Sequence, residues 1–312
     1  MNQKDLALLK EMCGIHAPSG SEIYMKKFLL NYIKENQENW KVKPDIIQGS
    51  DFQDCIILVF GKPRTCIYAH MDSVGYSVAY NNKLLKIGGP QAENGTILEG
   101  EDSQGKISGK LIFEETENAG KTMRIDFDRE IDRGTTLVYK QDFKVEDSFV
   151  QSCYLDDRLG IWNALKVAET LENGAIAFSA WEEVGGGSVG YLGRYLYKEY
   201  QVKKALISDI TWITEGVKHG DGVAISMRDS GIPRRGFINQ IINHAKGSGV
   251  QFQLEVESAG GSDGNALQKS PYPVDWCFIG AGESNVHKPD ERVHLDDIKD
   301  MHELYSYLMK QL

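Results

Sequence analysis

Several things are missing from this 312-residue sequence, and each absence excludes something. There is no Cys-x-x-Cys. The five cysteines, Cys13, Cys55, Cys66, Cys153 and Cys277, are scattered. An odd, unpatterned set in a chain this long fits a reducing compartment better than a disulfide framework. No run approaches the roughly 18 apolar residues of a transmembrane helix. The start, Met1-Asn2-Gln3-Lys4-Asp5, leads into a short amphipathic segment and not a signal peptide. These features predict a cytoplasmic protein with no membrane partner. Basic residues are outnumbered, 35 Lys and Arg against 45 Asp and Glu, for a net charge of -10. That balance argues against nucleic acid as a partner. No His-Glu-x-x-His is present, so a helix-borne single-zinc protease is not indicated. The glycine-rich segments lack Gly-x-Gly-x-x-Gly and Walker spacing, which leaves nucleotide binding little support. No internal repeat or low-complexity tract appears.

What is present suits a large folded core with room for two domains. The hydrophobic fraction, 41%, is ordinary for a soluble protein. The chain is organised around Trp181-Glu182-Glu183-Val184-Gly185. The apolar run Ala175–Ala180 before it reads as a buried strand. Two adjacent anions at a strand end repel each other unless something positive neutralises them. A metal would do so and leave one carboxylate free as a base. A surface Glu pair in a turn is the plain structural alternative. It weakens because other strand ends also supply carboxylates or imidazoles.

In chain order, Leu6, Leu8, Leu9 and Met12 predict a helix over 3–14. Ser21 is the expected N-cap of a second helix with a wide apolar face, from Tyr24 to Ile33. Cys55–Phe60 and Thr65–Ala69 read as strands, and their short Gly-Lys-Pro-Arg link predicts that they are neighbours. The second ends in Ala69-His70-Met71-Asp72. Residues two apart on an extended chain share a face. His70 could therefore bind a metal while Asp72 accepts the proton of its other ring nitrogen. Residues 73–150 change in texture: short β-like runs separated by turn residues, with almost no helical periodicity. This predicts a small β-barrel or sandwich inserted into an α/β domain that comprises 1–72 and 151–312. Most inserted residues read as structural.

The α/β texture resumes at Leu155-Asp156-Asp157-Arg158, which opens a helix with apolar positions through Leu171. Its two aspartates fit either an acidic helix start or a metal site, and nothing local decides. A helix over 191–200 follows, then a strand from Lys204 ending at Ser208-Asp209. Further strands are expected at 223–227, 251–256 and 276–279, with helices at 237–245, after Gly260-Gly261-Ser262-Asp263-Gly264, and at 296–312.

His70, Asp156, Glu182, Glu183, Asp209 and His287 thus lie at or just after strand-like runs. Sites in open α/β sheets form beyond the carboxyl ends of the strands, so these groups can converge. Two imidazoles with three carboxylates suit borderline cations such as zinc or cobalt. That set is one ligand too many for a single catalytic zinc and suits two ions about 3.5 to 4 Å apart with a bridging carboxylate.

The ordered set of Ala17-Pro18-Ser19-Gly20-Ser21-Glu22, Ala69-His70-Met71-Asp72, Leu155-Asp156-Asp157-Arg158, Glu182-Glu183-Val184-Gly185, Ser208-Asp209, Gly260-Gly261-Ser262-Asp263 and His287 runs the length of the chain. It resembles the dinuclear metallo-aminopeptidases of the glutamyl-aminopeptidase and tetrahedral (TET) type, some of which carry the label endoglucanase or cellulase M. The resemblance implies a mixed sheet flanked by helices, of zinc-exopeptidase type, with an inserted β-rich domain. It implies two divalent metal ions, His70 and Asp209 on one, Glu183 and His287 on the other, and Asp156 bridging. It also implies Glu182 as general base and peptide substrates with a free N-terminus; Asp72, behind His70, stands with Glu182 as a catalytic candidate. A dinuclear carboxypeptidase or N-deacylase acting on small acylated amino acids is the alternative. Two departures stand out. The inserted segment is short and lacks the family's usual Pro-Pro-His stretch before the bridging aspartate, so a homo-oligomer smaller than the family's twelve-subunit shells is expected. Ser73-Val74-Gly75 follows Asp72 where the family usually has an acidic residue, with little consequence expected.

Overall fold

A computed structural model describes residues 1–116 and 120–312. Helix α1 (Gln3–Cys13) buries Leu9, Met12 and Cys13, and Asn2 and Asp5 cap its start reciprocally. Helix α2 (Ile23–Asn36) buries Met25, Leu29 and Ile33. Its expected cap, Ser21, requires correction. Glu22 holds that position and no side chain caps the helix. Ser21 belongs to the preceding turn, where its N–H donates to the Pro18 carbonyl at 2.8 Å.

Strands β1 (Asp45–Ile47), β2 (Ile56–Phe60) and β3 (Thr65–His70) come next. Six strands then alternate with turns: β4 (Gly75–Val78), β5 (Leu84–Ile87), β6 (Ile97–Asp102), β7 (Gly105–Thr116), β8 (Gly120–Asp126) and β9 (Thr136–Tyr139). Short β10 (Lys144–Glu146) and β11 (Phe149–Ser152) lead into α3 (Leu155–Ala168). The remainder is β12 (Gly174–Ser179), α4 (Val189–Tyr200), β13 (Lys204–Trp212), β14 (Val223–Arg228), α5 (Arg235–Ser248), β15 (Phe252–Val256), α6 (Asp263–Lys269), β16 (Asp275–Ser284), β17 (Glu291–His294) and α7 (Leu295–Gln311).

Eleven strands form one mixed sheet, ordered β1-β2-β12-β3-β13-β16-β17-β11-β10, with β14 on β16 and β15 on β14. The predicted pairing of β2 with β3 is overturned. Strand β12 lies between them, antiparallel to β2 and parallel to β3. Every residue of β12 is buried, so it takes a central place with a neighbour on each edge. The link after β2 curls over the approach to β12: Gly61 has φ +50°, and a Cβ there would meet the Glu172 carbonyl at 2.4 Å. Strands β3, β12, β13 and β16 run parallel, so their carboxyl ends share one edge of the sheet.

Helices α1, α3, α5 and α7 bury one face of this sheet around Phe60, Leu159, Ile176, Leu206, Phe237 and Leu304. Helices α4 and α6 cover the other around Tyr68, Leu192, Leu196 and Trp276. The second sheet, β5-β4-β9-β6-β7-β8, is nearly closed, because an isolated bridge joins Lys83 beside β5 to Arg124 of β8. Its core holds Tyr76, Leu98, Leu111, Ile125 and Leu137, and it continues into Tyr154 at the head of α3. Strand β10 and the first residues of β11 fall within 73–150, yet both strands belong to the larger sheet. Among the described residues, no helix is long and apolar enough to cross a membrane.

Helix α3 is the central helix: Leu155 through Leu165, Val167 and Ala168 are all buried, between β3 and β13 on one side and α1 and α7 on the other. Gly160 permits that closeness. A Cβ there would lie 2.0 Å from the Ser208 carbonyl and 2.1 Å from Asp157 Oδ1. Alanine elsewhere in a helix gains up to about 1 kcal/mol over glycine, but overpacking costs about 1 to 3 kcal/mol or more. Gly160→Ala should therefore lower stability by about 1 to 3 kcal/mol in denaturant unfolding. A variant as stable as the parent would show that α3 and β13 are less tightly apposed than described.

Candidate metal centre

Four parallel strands deliver the chemistry to one edge. His70 is the last residue of β3 and lies level with Ser179 at the end of β12. Beyond Ser179 the chain turns sharply, with Trp181 at φ +64° and Gly185 at φ +100°, and presents Glu182 and Glu183 on one short turn. Asp209 lies in β13, opposite Gly280 of β16. A Cβ on Gly280 would meet the Asp209 carbonyl at 2.2 Å, so only glycine permits this close approach of the two strands. His287 sits in the turn after β16, at φ +63°.

The head of α3 resolves the ambiguity of the two aspartates. Tyr154 occupies the N-cap position in the left-handed region, and Asp156 and Asp157 have non-helical dihedrals. The peptide bond between the two aspartates is cis. Asp157 turns inward as the structural member: Oδ1 accepts the Gly160 N–H at 2.8 Å and Oδ2 the His70 N–H at 3.1 Å. Asp156 turns the other way, into the cluster. Oδ1 lies 3.0 Å from His70 Nε2 and Oδ2 lies 3.3 Å from His287 Nε2. His70 Nε2 is also 3.9 Å from Asp209 Oδ1, and His287 Nε2 is 3.2 Å from Glu183 Oε2. The result is two overlapping triads, His70–Asp156–Asp209 and Asp156–Glu183–His287, whose ligand atoms lie within 4.8 Å of one another in each.

Both imidazoles are held from behind. His70 Nδ1 lies 3.4 Å from Asp72 Oδ1, and His287 Nδ1 lies 3.2 Å from the Gly89 carbonyl. An oxygen at Nδ1 favours the proton there and leaves the Nε2 lone pair free, the arrangement of metal-ligating histidines. Asp72 is fully buried and does more than orient a ring. It accepts from Ser19 Oγ at 2.6 Å, from the Glu182 N–H at 3.1 Å and from the Glu183 N–H at 3.2 Å. Arg158, also buried, donates to the Met71 and Asp72 carbonyls at 2.8 and 3.1 Å, anchoring the same strand end from the α3 side.

The electrostatics call for positive charge. Burial pushes the carboxyls of Asp209 and Glu182 well above their ordinary range, and neighbouring carboxylates add to it. Glu183 rises for the same reasons, burial and Asp156. Burial works against ionisation of His287, yet Asp156 and Glu183 push its pKa up to about 11. Asp156 is held low by the two imidazoles against the effect of its burial. Buried acids that gather protons in this way would be satisfied by a cation instead. Glu183 Oε1 has no hydrogen-bond partner. Two imidazoles and three carboxylates, with Asp156 common to both triads, fit two borderline divalent ions.

All six residues singled out from sequence converge here, and Asp72 stands behind His70. Sequence reasoning passed over Glu291, Tyr139 and the Gly88–Gln91 segment. Glu291 is 1% exposed and its carboxylate binds the backbones of both Leu155 and His287. Tyr139 donates its hydroxyl to the His287 carbonyl at 3.0 Å, and the Gln91 N–H reaches the same oxygen at 2.9 Å. The six-stranded sheet and the link between its strands β5 and β6 therefore touch the site.

A cavity of about 710 Å³ opens onto the cluster. Beyond the triads it is lined by Asp229, Glu255 and Glu257, at the ends of β14 and β15, and by the half-exposed Trp212. Among the described lining residues, Lys269 is the one lysine or arginine.

Comparison with known proteins agrees with this architecture. The family model described as M42 glutamyl aminopeptidase matches residues 56–304. A protein of Acetivibrio thermocellus assigned as an aminopeptidase is 24% identical over 332 aligned residues, covering 96% of each chain. An aminopeptidase from the archaeon Desulfurococcus kamchatkensis superposes with a TM-score of 0.84 at 18% identity, covering 99% of this chain and 95% of that one. The TET1 peptidase of Pyrococcus horikoshii, which assembles into a tetrahedron or a large octahedral shell, superposes with a TM-score of 0.80 at 22% identity, covering 99% and 100%.

Asp72 joins Ser19, His70 and the Glu182–Glu183 turn, so Asp72→Ala should loosen all three. Removing one partner of a buried charged network costs about 3 to 5 kcal/mol. Amide hydrogen exchange should accelerate at Glu182 and Glu183 well beyond the global loss of stability. Unchanged protection of those two amides would show that the turn holds itself.

Proposed function

The chain belongs to the M42 glutamyl aminopeptidase family, and from that premise we propose that it is a dinuclear metallo-aminopeptidase that removes the N-terminal residue of peptides. One observation carries this reading: Asp156 sets one oxygen against each of two imidazoles, and each imidazole is backed at Nδ1 by an oxygen. His70 and Asp209 would hold one ion, Glu183 and His287 the other, and Asp156 both. Bound zinc or cobalt would lower the pKa of a shared water toward neutrality and polarise the scissile carbonyl.

The protein's own residues do the rest. Glu182 is the carboxylate of the pair that enters neither triad. It lines the cavity beside Glu183 and Asp209. As general base it takes the proton of the attacking water on its carboxylate and returns it to the leaving amine. Asp72 and Gly89 set an oxygen behind Nδ1 of His70 and His287, which favours both rings presenting Nε2. Asp72 also fixes the Glu182–Glu183 turn through both N–H groups.

The lining of the cavity favours the amino end of the substrate. A free α-amine is cationic and enters a cleft rich in carboxylates. A carboxypeptidase or an N-deacylase of acylated amino acids must instead hold a free carboxylate, and Lys269 is the sole lysine or arginine among the described lining residues. The same reasoning extends to the side chain of the residue removed. Asp229, Glu255 and Glu257 favour lysine or arginine and disfavour glutamate there.

Two measurements test this. In a panel of aminoacyl-anilides assayed with zinc, cobalt and manganese, lysyl and arginyl substrates should exceed glutamyl by at least about tenfold, roughly 1.4 kcal/mol. N-blocked substrates should be inert. Preferential hydrolysis of N-blocked substrates would overturn the aminopeptidase reading, and a glutamyl preference would overturn the assignment of the side-chain pocket. Glu182→Gln should lose about 10² to 10⁴-fold in rate with metal content unchanged, whereas Glu183→Gln should lose metal. If the metal losses are reversed, the two roles are exchanged. Full activity in Glu182→Gln at saturating metal would place the base elsewhere.

A further inference from the structure

Glu291 opens β17, opposite Ser152 of β11, and is almost fully buried. Its two oxygens serve two different loops. Oε2 accepts the Leu155 N–H at 2.6 Å and lies 3.4 Å from the Asp156 nitrogen. Oε1 accepts the His287 N–H at 3.0 Å. Neither loop has a regular ladder to hold it. The first passes through Tyr154 at φ +65°, and the second through Asn285 at +64° and His287 at +63°. Non-glycine residues are strained in that region and persist where surrounding contacts over-determine them. Between these loops, Asp156 Oδ2 and His287 Nε2 must keep their 3.3 Å approach.

We propose that Glu291 is a positioning residue for the second triad: one buried carboxylate ties the main chain of Asp156 to that of His287 and so sets the spacing at which Asp156, Glu183 and His287 share an ion. The inference rests on the dinuclear reading above. The first triad shares only Asp156 with Glu291: its other members are held in the sheet, His70 level with Ser179 of β12 and Asp209 opposite Gly280 of β16. A carboxylate is required at 291 because both of its oxygens must accept. Glutamine has the same shape, but its amide NH2 would face one of the two backbone N–H groups, donor against donor.

The test is zinc binding by equilibrium dialysis and elemental analysis on the full chain, with the thermal midpoint recorded for each variant. The parent should bind two equivalents. Glu291→Gln should keep one equivalent at parental affinity and bind the other about 10 to 100-fold more weakly, the usual cost of losing support behind a ligand. Glu283→Gln is the control. Glu283 lies on the neighbouring β16, is equally buried, and has neither oxygen hydrogen-bonded, so its amide should leave both equivalents in place. If Glu291→Gln does not fold, Glu291→Asp is measured the same way. Aspartate retains both acceptors but withdraws them by one methylene, and it should weaken the same single equivalent. Two parental-affinity equivalents in the folded Glu291 variant, or equal weakening of both, would overturn the inference alone. A parent that binds no zinc would overturn the dinuclear reading and this inference with it.

Discussion

Asp156 is shared. Its two carboxylate oxygens meet two imidazoles that come from strand ends far apart in sequence, and the rest of the site is arranged around keeping that meeting in place. A carboxylate with one histidine would be an ordinary buried pair. With two histidines, and with Asp209 and Glu183 drawn to the same place, it becomes a concentration of charge that burial penalises strongly. The protein tolerates this by bracing the cluster with fixed hydrogen bonds and by leaving the ligand atoms close enough for cations to take up the charge.

The fixed hydrogen-bonding groups come from every layer of the fold. Arg158 and Asp157, both from the head of α3, hold the end of β3 by its carbonyls and by the His70 N–H. Asp72, at that same strand end, holds the turn that follows β12. Glu291 holds the head of α3 to the turn after β16. The six-stranded sheet closes the circuit through Tyr139 and Gly89 on His287. Left-handed residues gather at these junctions: Tyr154, Trp181, Asn285 and His287. Their local strain is offset by the packing around them, chiefly by α3, which is buried along nearly its whole length.

Much of the fold was legible in the sequence where the periodicity was long or the apolar run continuous. Helices α1, α4, α5 and α7 and strands β2, β3, β12, β13 and β16 emerge from such patterns with shifts of a few residues at their ends. Strands β1, β10, β11 and β17 left no readable pattern, being three or four residues long and partly exposed. The Ser21 cap failed because a local cap signal does not reveal that the preceding Pro18 turn already uses that residue. The β2–β3 pairing failed because a short link says nothing about which third strand will insert between them.

By itself the sequence determined which residue types stand at the ends of the strands. His70, Asp72, Asp156, Glu182, Glu183, Asp209 and His287 are legible as chemistry because carboxylates and imidazoles directly after buried apolar runs are costly unless used. Only the tertiary structure decided what each one does with its side chain. Asp156 and Asp157 are adjacent and identical in type, yet one faces the imidazoles and the other braces the helix, because the backbone between Tyr154 and Arg158 departs from helical geometry. Glu291 is one glutamate among many until folding brings its two oxygens between two loops that lie more than a hundred residues apart in the chain. Direction and long-range proximity are properties of the packed chain, and no local pattern encodes them.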